Sequence, residues 1–341
     1  MPFSQTQQTQ QTQQTQQTQQ TQQTQQTQAV PALNHAGGTS NVGLSLALDG
    51  VAQTFATPSA QSLSMPLKVS ELEAVRRLQP LHRQILMVEE LSKGLSAKGV
   101  GGAVEIENDG TKIATLTSPF DTGVSPADLI AEVMSYRWLR AERANEIVLQ
   151  QTDILSFLAL AYPMTRDTHP FTMEVLDAVL GATGKLVVRA KHALSVPRPA
   201  EFSTAVAPLI RTPAHGATPS GHASEAWAMA LVLEAMLGLQ PSQELRLIAG
   251  RIEENRIVAG VHYAHDGKMG RELAAALTPI FAGRLGLTGA TGNVNVPSGA
   301  GQDGVFASTT TPDQMATLSA FTSPGGVLGS AMVLARAELG A

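Results

Sequence analysis

Three clusters between Lys191 and Asp266 carry residue types that could do chemistry: Lys191 with Arg198-Pro199, then Pro219-Ser220-Gly221-His222, then Arg256 followed by His262 and Asp266. Together they bring fixed positive charge, backbone donors and imidazoles, which suits an oxyanion that must be held and then attacked. Lys191 offers a point charge, whereas Arg198 and Arg256 offer planar forks able to bridge two oxygens. Ser220 and Gly221 stand where a helix should begin, so their hydroxyl and N–H groups add donors and the helix dipole favours negative charge. His262 and Asp266 are four positions apart, a spacing that on a helical turn lets the carboxylate fix the imidazole tautomer. His222 is left as general acid or base.

The elements that must position these residues read as mainly α. Ser70-Glu71-Leu72-Glu73 has the form of a capping box and opens a run from Leu72 to Leu91 that Pro80 should kink or divide. Alternation over Val104-Glu105-Ile106-Glu107, then Asp109-Gly110, then Thr111-Lys112-Ile113 predicts a small peripheral β-hairpin. Ser125-Pro126 caps a further helix whose stripe is Leu129, Ile130, Val133, Met134, Trp138 and Leu139, and the pattern continues over 147–161 and 171–194. Lys191 falls near the end of the last of these, before Pro197 and Pro199 stop it. Helices over about 222–237, 242–261 and 268–285 complete the bundle. On the first, Ala226, Met229, Ala230 and Leu233 share a face that reads as core and leaves a homo-oligomer open.

Residues 6–27 repeat Thr-Gln-Gln with period 3, which matches neither helix nor strand and offers no apolar face. The chain therefore divides into a disordered repeat and linker over 1–66, an α-helical domain over 67–287, and a flexible Gly/Thr/Ser-rich tail over 288–341 with a terminal amphipathic run from Gly326 to Leu339. Pro297-Ser298-Gly299 in that tail lacks a following histidine and receives no role.

The 341 residues are 43% hydrophobic, enough for a substantial core, and a net charge of −5 with 4% aromatic residues argues against nucleic acid as a partner. The absence of cysteine excludes disulfides and thiolate sites. Neither a signal peptide nor an apolar run long enough to span a bilayer is recognisable, so a soluble chain is expected, with the cytoplasm as the compartment. His262, His265 and Asp266 could also be read as part of a divalent metal site, although no third group of ligands accompanies them. His192 reads as pocket wall or surface, and His35, His82 and His169 carry no usable signal.

Taken singly, each cluster has an ordinary explanation as a helix end, a turn or a surface histidine. Their joint order and spacing resembles the signature of the superfamily that joins type 2 phosphatidic acid phosphatases, soluble bacterial acid phosphatases and vanadium-dependent haloperoxidases. That signature is Lys, six residues, Arg-Pro; then Pro-Ser-Gly-His; then Ser-Arg, five residues, His, three residues, Asp. This sequence reads Lys191-HALSVP-Arg198-Pro199, Pro219-Ser220-Gly221-His222 and Asn255-Arg256-IVAGV-His262-YAH-Asp266, with Asn255 in place of the usual serine. Asn can still donate and accept a hydrogen bond, which keeps an anion pocket feasible.

The resemblance implies a helical bundle of the haloperoxidase/acid phosphatase type. It also implies that Lys191, Arg198, Ser220, Gly221 and Arg256 bind the oxyanion, that His222 is the acid–base partner and that Asp266 orients His262. His262 would be the sole protein ligand of a vanadate cofactor, or the nucleophile that forms a phospho-histidine in a phosphatase needing no cofactor. With no membrane span the soluble branches remain. His215, seven residues before His222, resembles the histidine on the halide side of the cofactor in vanadium bromoperoxidases. The expectation is therefore a haloperoxidase that uses hydrogen peroxide to oxidise bromide or iodide. The alternative is a soluble acid phosphatase acting on phosphomonoesters, and a non-enzymatic anion-binding protein using the glutamine-rich tail is a third reading.

Overall fold

Helix Gly221–Leu237 is apolar on every side, so it can be stable only where other elements surround it. The computed structural model describes residues 69–238, 243–288 and 320–340. The repeat and linker expected over 1–66, the Pro297-Ser298-Gly299 segment and most of the flexible stretch expected over 288–325 lie outside the described residues. In chain order the helices are α1 (Glu71–Arg77), α2 (Pro80–Ser92), α3 (Pro126–Ser135), α4 (Arg140–Leu149), α5 (Leu155–Leu158), α6 (Pro170–Leu194), α7 (Pro199–Phe202), α8 (Gly221–Leu237), α9 (Gln243–Val258), α10 (Ala264–Arg284) and α11 (Gly326–Leu339). Central α8 is enclosed by α6, α9 and α10. Ala226, Met229, Ala230 and Leu233 are buried as expected, but so are Trp227, Ala228, Leu231 and Val232 between them. No helix among the described residues is long and apolar enough to cross a membrane.

Helix ends follow local chemistry. Ser70 accepts from the Glu73 N–H at 3.3 Å, while the Glu73 carboxylate turns to Arg77 instead of closing a capping box. Pro80 divides the first helical run into α1 and α2. α6 begins at Pro170 without a cap from its own side chains; Glu338 of α11 accepts from the N–H groups of Phe171 (3.0 Å) and Thr172 (2.8 Å). Glu90 of α2 in turn accepts from Val327 (3.1 Å) and Leu328 (2.8 Å) at the start of α11. Carboxylates thus satisfy the free amides at two helix starts and tie α11 to the bundle.

The expected hairpin is a three-stranded antiparallel sheet, β1 (Leu95–Val100), β2 (Ala103–Asn108) and β3 (Thr111–Leu116). Neither is it peripheral, because Val104, Ile106 and Leu116 are fully buried in the main core and β1 packs on α6. β1 escaped the sequence reading because Leu-Ser-Ala-Lys-Gly-Val buries only its first residue and has no clean alternation. A two-stranded pair, β4 (Leu287–Thr288) with β5 (Ala320–Phe321), leads into α11.

Several helical expectations need correction: α9 ends at Val258 where the pattern suggested about 261, and α10 opens at Ala264 where it suggested about 268. α3 stops at Ser135 and a 3₁₀ turn over Arg137–Leu139 follows, so Trp138 leaves the expected stripe and is 68% exposed. The pattern expected over 147–161 is α4, a break and the single-turn α5; α4 starts at Arg140 and ends at Leu149.

Close approach of α8 and α10 sets the geometry that the site needs. A Cβ on Gly270 of α10 would stand 2.9 Å from the Ala223 Cβ and 3.0 Å from both Ser220 O and Ser224 N. Nearby, the Ser220 N–H donates to Asp266 O at 2.9 Å. Overpacking this crossing with Gly270→Val should cost about 1–3 kcal/mol of stability, read from urea unfolding. Gly283→Ala on the same helix, where an added Cβ meets nothing within 4 Å, should be neutral or stabilising.

Candidate functional site

The three clusters converge on the N-terminal end of α8, in a seam between two apolar cores. One core contains Ala190, Ala223 and Met269, the other Val196, Ala217, Ile257, Val261 and Tyr263, and Leu194 packs against both. Lys191, Arg198, Ser220, Arg256, His262 and Asp266 are each under 5% exposed.

What holds the cations distinguishes them from the other buried arginines. Arg83 pairs with Glu174, Arg143 with Glu254 and Arg271 with Glu253, so each is neutralised by a carboxylate. The site cations are held mainly by backbone carbonyls. Lys191 Nζ donates to Gly216 O (2.9 Å) and Ala217 O (2.8 Å), which leaves one N–H. Arg198 donates from Nε to His215 O (3.1 Å) and from Nη1 to Val261 O (2.7 Å). Arg256 Nη2 donates to Ile147 O (3.3 Å) and to Gln150 Oε1 (3.0 Å), while its Nε and Nη1 are buried with no partner among the described residues. Neutral dipoles orient these charges without cancelling them. Burial, opposed by Asp266 and Glu201, lowers Arg198 to about 10, and burial alone lowers Arg256 to about 10.

His262 lies just outside α10, whose first residue is Ala264, so the expected helical-turn relation to Asp266 becomes a loop meeting the first turn of a helix. The contact itself is made: His262 Nδ1 is 3.0 Å from Asp266 Oδ2, which also accepts from the Tyr263 N–H at 2.9 Å. Thr218 Oγ1 donates to Asp266 Oδ1. The other ring nitrogen, Nε2, lies 2.8 Å from Arg198 Nη1, which can only donate. The tautomer is thereby fixed, with the proton on Nδ1 facing Asp266 and the lone pair on Nε2. Burial first, then the neighbouring cations Arg198 and Lys191, hold His262 well below the usual imidazole range.

His222 Nε2 donates to Gln150 O at 2.9 Å, leaving Nδ1 as its lone pair. Burial and Arg256 push its pKa down to about 3, so the ring is neutral. Ser220 caps α8 through Ala223 N at 3.4 Å, and the N–H groups of Gly221 and His222 have no acceptor among the described residues. His215 is exposed, and its Nδ1 lies 3.1 Å from Arg198 Nη2 and 3.2 Å from Gly216 O, of which it can satisfy one at a time. His265 turns Nε2 to Thr117 O (2.9 Å), away from any shared metal position with His262, and His192 is exposed. Among the described residues no group of three His, Asp or Glu side chains could hold a metal ion.

Sequence reasoning missed Gln150, Thr218 and Glu225. Gln150 stands at the end of α4, where its amide oxygen accepts from Arg256 and from Asn255 Nδ2 (3.0 Å), its carbonyl accepts from His222, and its Nε2 is buried and unpartnered. No motif marks it. Asn255 also reaches Glu146 Oε2 (3.1 Å), so the departure from the usual serine joins α9 to α4. Thr218 directly precedes Pro219 and could have been suspected from adjacency.

Unclaimed donors on Arg256, Gln150, Lys191, Gly221 and His222 beside one imidazole lone pair fit a tetrahedral oxyanion of the phosphate or vanadate kind. No protein-family model and no curated protein matches the chain.

Burial and Arg198 lower Lys191 to about 7 from its ordinary 10.5, against the opposing pull of Asp266 and Glu225. A bound anion restores the charged form, so anion binding above pH 7 should take up a proton at Lys191, whereas below pH 7 the lysine is already charged and contributes no uptake. Calorimetry with inorganic phosphate at pH 8.5, in buffers of different ionisation enthalpy, should show this uptake in the wild type and its loss, with weaker binding, in Lys191→Met.

Proposed function

We propose that the chain is an oxyanion-handling enzyme of the superfamily joining type 2 phosphatidic acid phosphatases, soluble bacterial acid phosphatases and vanadium-dependent haloperoxidases. Within that class we propose a vanadium-dependent haloperoxidase, using hydrogen peroxide to oxidise bromide or iodide. The class is supported by one observation above all: three buried cations without direct carboxylate partners surround an imidazole whose lone pair is fixed at Nε2.

In this reading His262 Nε2 is the ligand atom for vanadate, and Asp266 keeps the lone pair there by holding the proton on Nδ1. Arg198, Arg256, Lys191 and the Gly221 N–H bind the anion's oxygens, with Arg198 Nη1 released from the imidazole to do so. Vanadate, when bound, supplies a Lewis-acidic centre at which hydrogen peroxide becomes susceptible to halide attack without a change in metal oxidation state. His222 is neutral in the empty site and bears its lone pair on Nδ1, so it can take a proton from peroxide and return it to the leaving oxygen. The haloperoxidase reading is favoured by His215, which contacts Arg198 through both its ring and its carbonyl while remaining open to solvent.

The same fixed lone pair also supports a phosphomonoesterase, in which His262 attacks phosphorus and His222 protonates the leaving group. Protein reconstituted with orthovanadate should halogenate an organic acceptor in the presence of peroxide and bromide or iodide, and should not do so without vanadate. Ester hydrolysis that vanadate inhibits, with no halogenation, would instead assign the phosphatase. His262→Ala should lower either activity at least ~10³-fold. His215→Ala should reduce halide oxidation more than ester hydrolysis, and equal losses would remove the preference for the peroxidase.

A further inference from the structure

Glu225 is a charged side chain at the site that neither reading of the reaction uses. It lies one turn into α8, four residues after Gly221 and three after His222, and all three keep some exposed surface although protein surrounds most of the His222 and Glu225 side chains. Such a combination describes groups lining a cleft. The carboxylate is directed toward α6: a Cβ placed on Gly184 would be 3.4 Å from Glu225 Oε1, and one on Gly221 would be 3.7 Å from it. Two glycines on facing helices therefore leave the space that this carboxylate occupies. It forms no hydrogen bond and no ion pair among the described residues. Its one resolved electrostatic neighbour is Lys191, and each acts on the charge of the other.

An oxyanion held by the free N–H of Lys191 and by the Gly221 amide would therefore have one oxygen beside Glu225. An ionised carboxylate can only accept hydrogen bonds. Facing an oxygen that carries a proton, it gains a charge-assisted bond; facing a bare anionic oxygen, it meets like charge and leaves both groups unpaired. We propose that Glu225 makes the pocket selective for tetrahedral anions that retain a proton, such as phosphate and vanadate, over the fully ionised sulfate. This rests on the oxyanion-pocket reading above and adds a specificity determinant to it, common to both candidate reactions. The selectivity comes from a repulsive element placed against the wrong anion as well as an attractive one for the right anion.

Direct binding tests the proposal without turnover. Burial raises the Glu225 carboxyl to about 7, against the pull of Lys191, so pH 8 leaves most of it ionised while phosphate still carries one proton. Calorimetric titration of the full chain at that pH should show phosphate bound at least ~100-fold more tightly than sulfate. Glu225→Gln, whose amide can donate as well as accept, should bring the two affinities within roughly threefold, chiefly by tightening sulfate. Glu225→Asp, which keeps the carboxylate, should retain preference for phosphate. Wild-type protein that binds both anions equally, or a Gln variant with an unchanged ratio, would overturn the role of Glu225 while leaving the pocket standing. Binding of neither anion by the wild type would overturn the pocket itself. Should the Gln variant fail to fold, the wild-type and Asp ratios decide: equal affinities in either sink the proposal.

Discussion

Holding Lys191, Arg198 and Arg256 inside the protein without direct carboxylate partners is the constraint from which the rest of the structure follows. A buried cation needs hydrogen-bond acceptors, and a direct ion pair would supply them while cancelling the field that an anion must feel. Here the acceptors are the carbonyls of Ile147, His215, Gly216, Ala217 and Val261. Carbonyls free to accept occur where regular structure ends, so the site has to sit among loops and helix termini. That accounts for the route of the chain between α6 and α8, which passes Arg198, turns back past His215 and Gly216 over the end of α6, and enters α8 at Ser220.

The rigid elements fix where those loops can lie. α8 is buried along most of its length from Ala223 to Met236, so its N-terminus is a stationary source of first-turn amides. Gly270 lets α10 approach that terminus closely enough for Asp266 to accept from the Ser220 N–H through its carbonyl and to hold His262 through its carboxylate. One residue thus orients the imidazole and registers the two helices against each other. On the far side Gln150 closes α4 onto Arg256, Asn255 and His222, and Thr117 at the end of β3 holds His265 of α10. The sheet is therefore part of what keeps α10 in place, a position that a peripheral hairpin could not fill.

The legible parts of this arrangement were those whose chemistry is written in consecutive or regularly spaced residues. Lys191, Arg198, Pro219 to His222, Arg256, His262 and Asp266 stand out because charge, helix breakers and imidazoles recur at fixed intervals around helix boundaries, and the structure places them in one seam. The boundaries of α6 and α8 were readable within one residue from the apolar runs over 171–194 and 222–237, with Pro197, Pro199 and Ser220 marking their ends. Gln150 was not readable, because a lone glutamine at a helix end acquires meaning only from Arg256 about a hundred positions later. Glu225 was passed over since its neighbours Ala223, Ala226 and Trp227 are core residues, and a charged residue among them reads as a break in a stripe. β1 and the 3₁₀ turn at Trp138 escaped for a different reason: tertiary packing overrode weak local patterns.

Leaving cations unneutralised has a stability consequence that the bundle must offset. Lys191 titrates at about 7 in the folded chain against an ordinary 10.5, so over that range the unfolded chain binds more protons and stability rises with pH; below about pH 7 the full penalty remains. The compensations lie away from the site. Arg271 and Trp227 converge on Glu253 across α8, α9 and α10, Arg83 clasps Glu174, and Glu338 and Glu90 cap α6 and α11. Each of these sets a carboxylate directly against a cation or a helix start, the opposite treatment from the one given to the site cations. An anion entering the pocket would supply the missing negative charge, so that occupancy and folding would be linked and the ligand would stabilise the chain in proportion to how incompletely the protein satisfies those cations by itself.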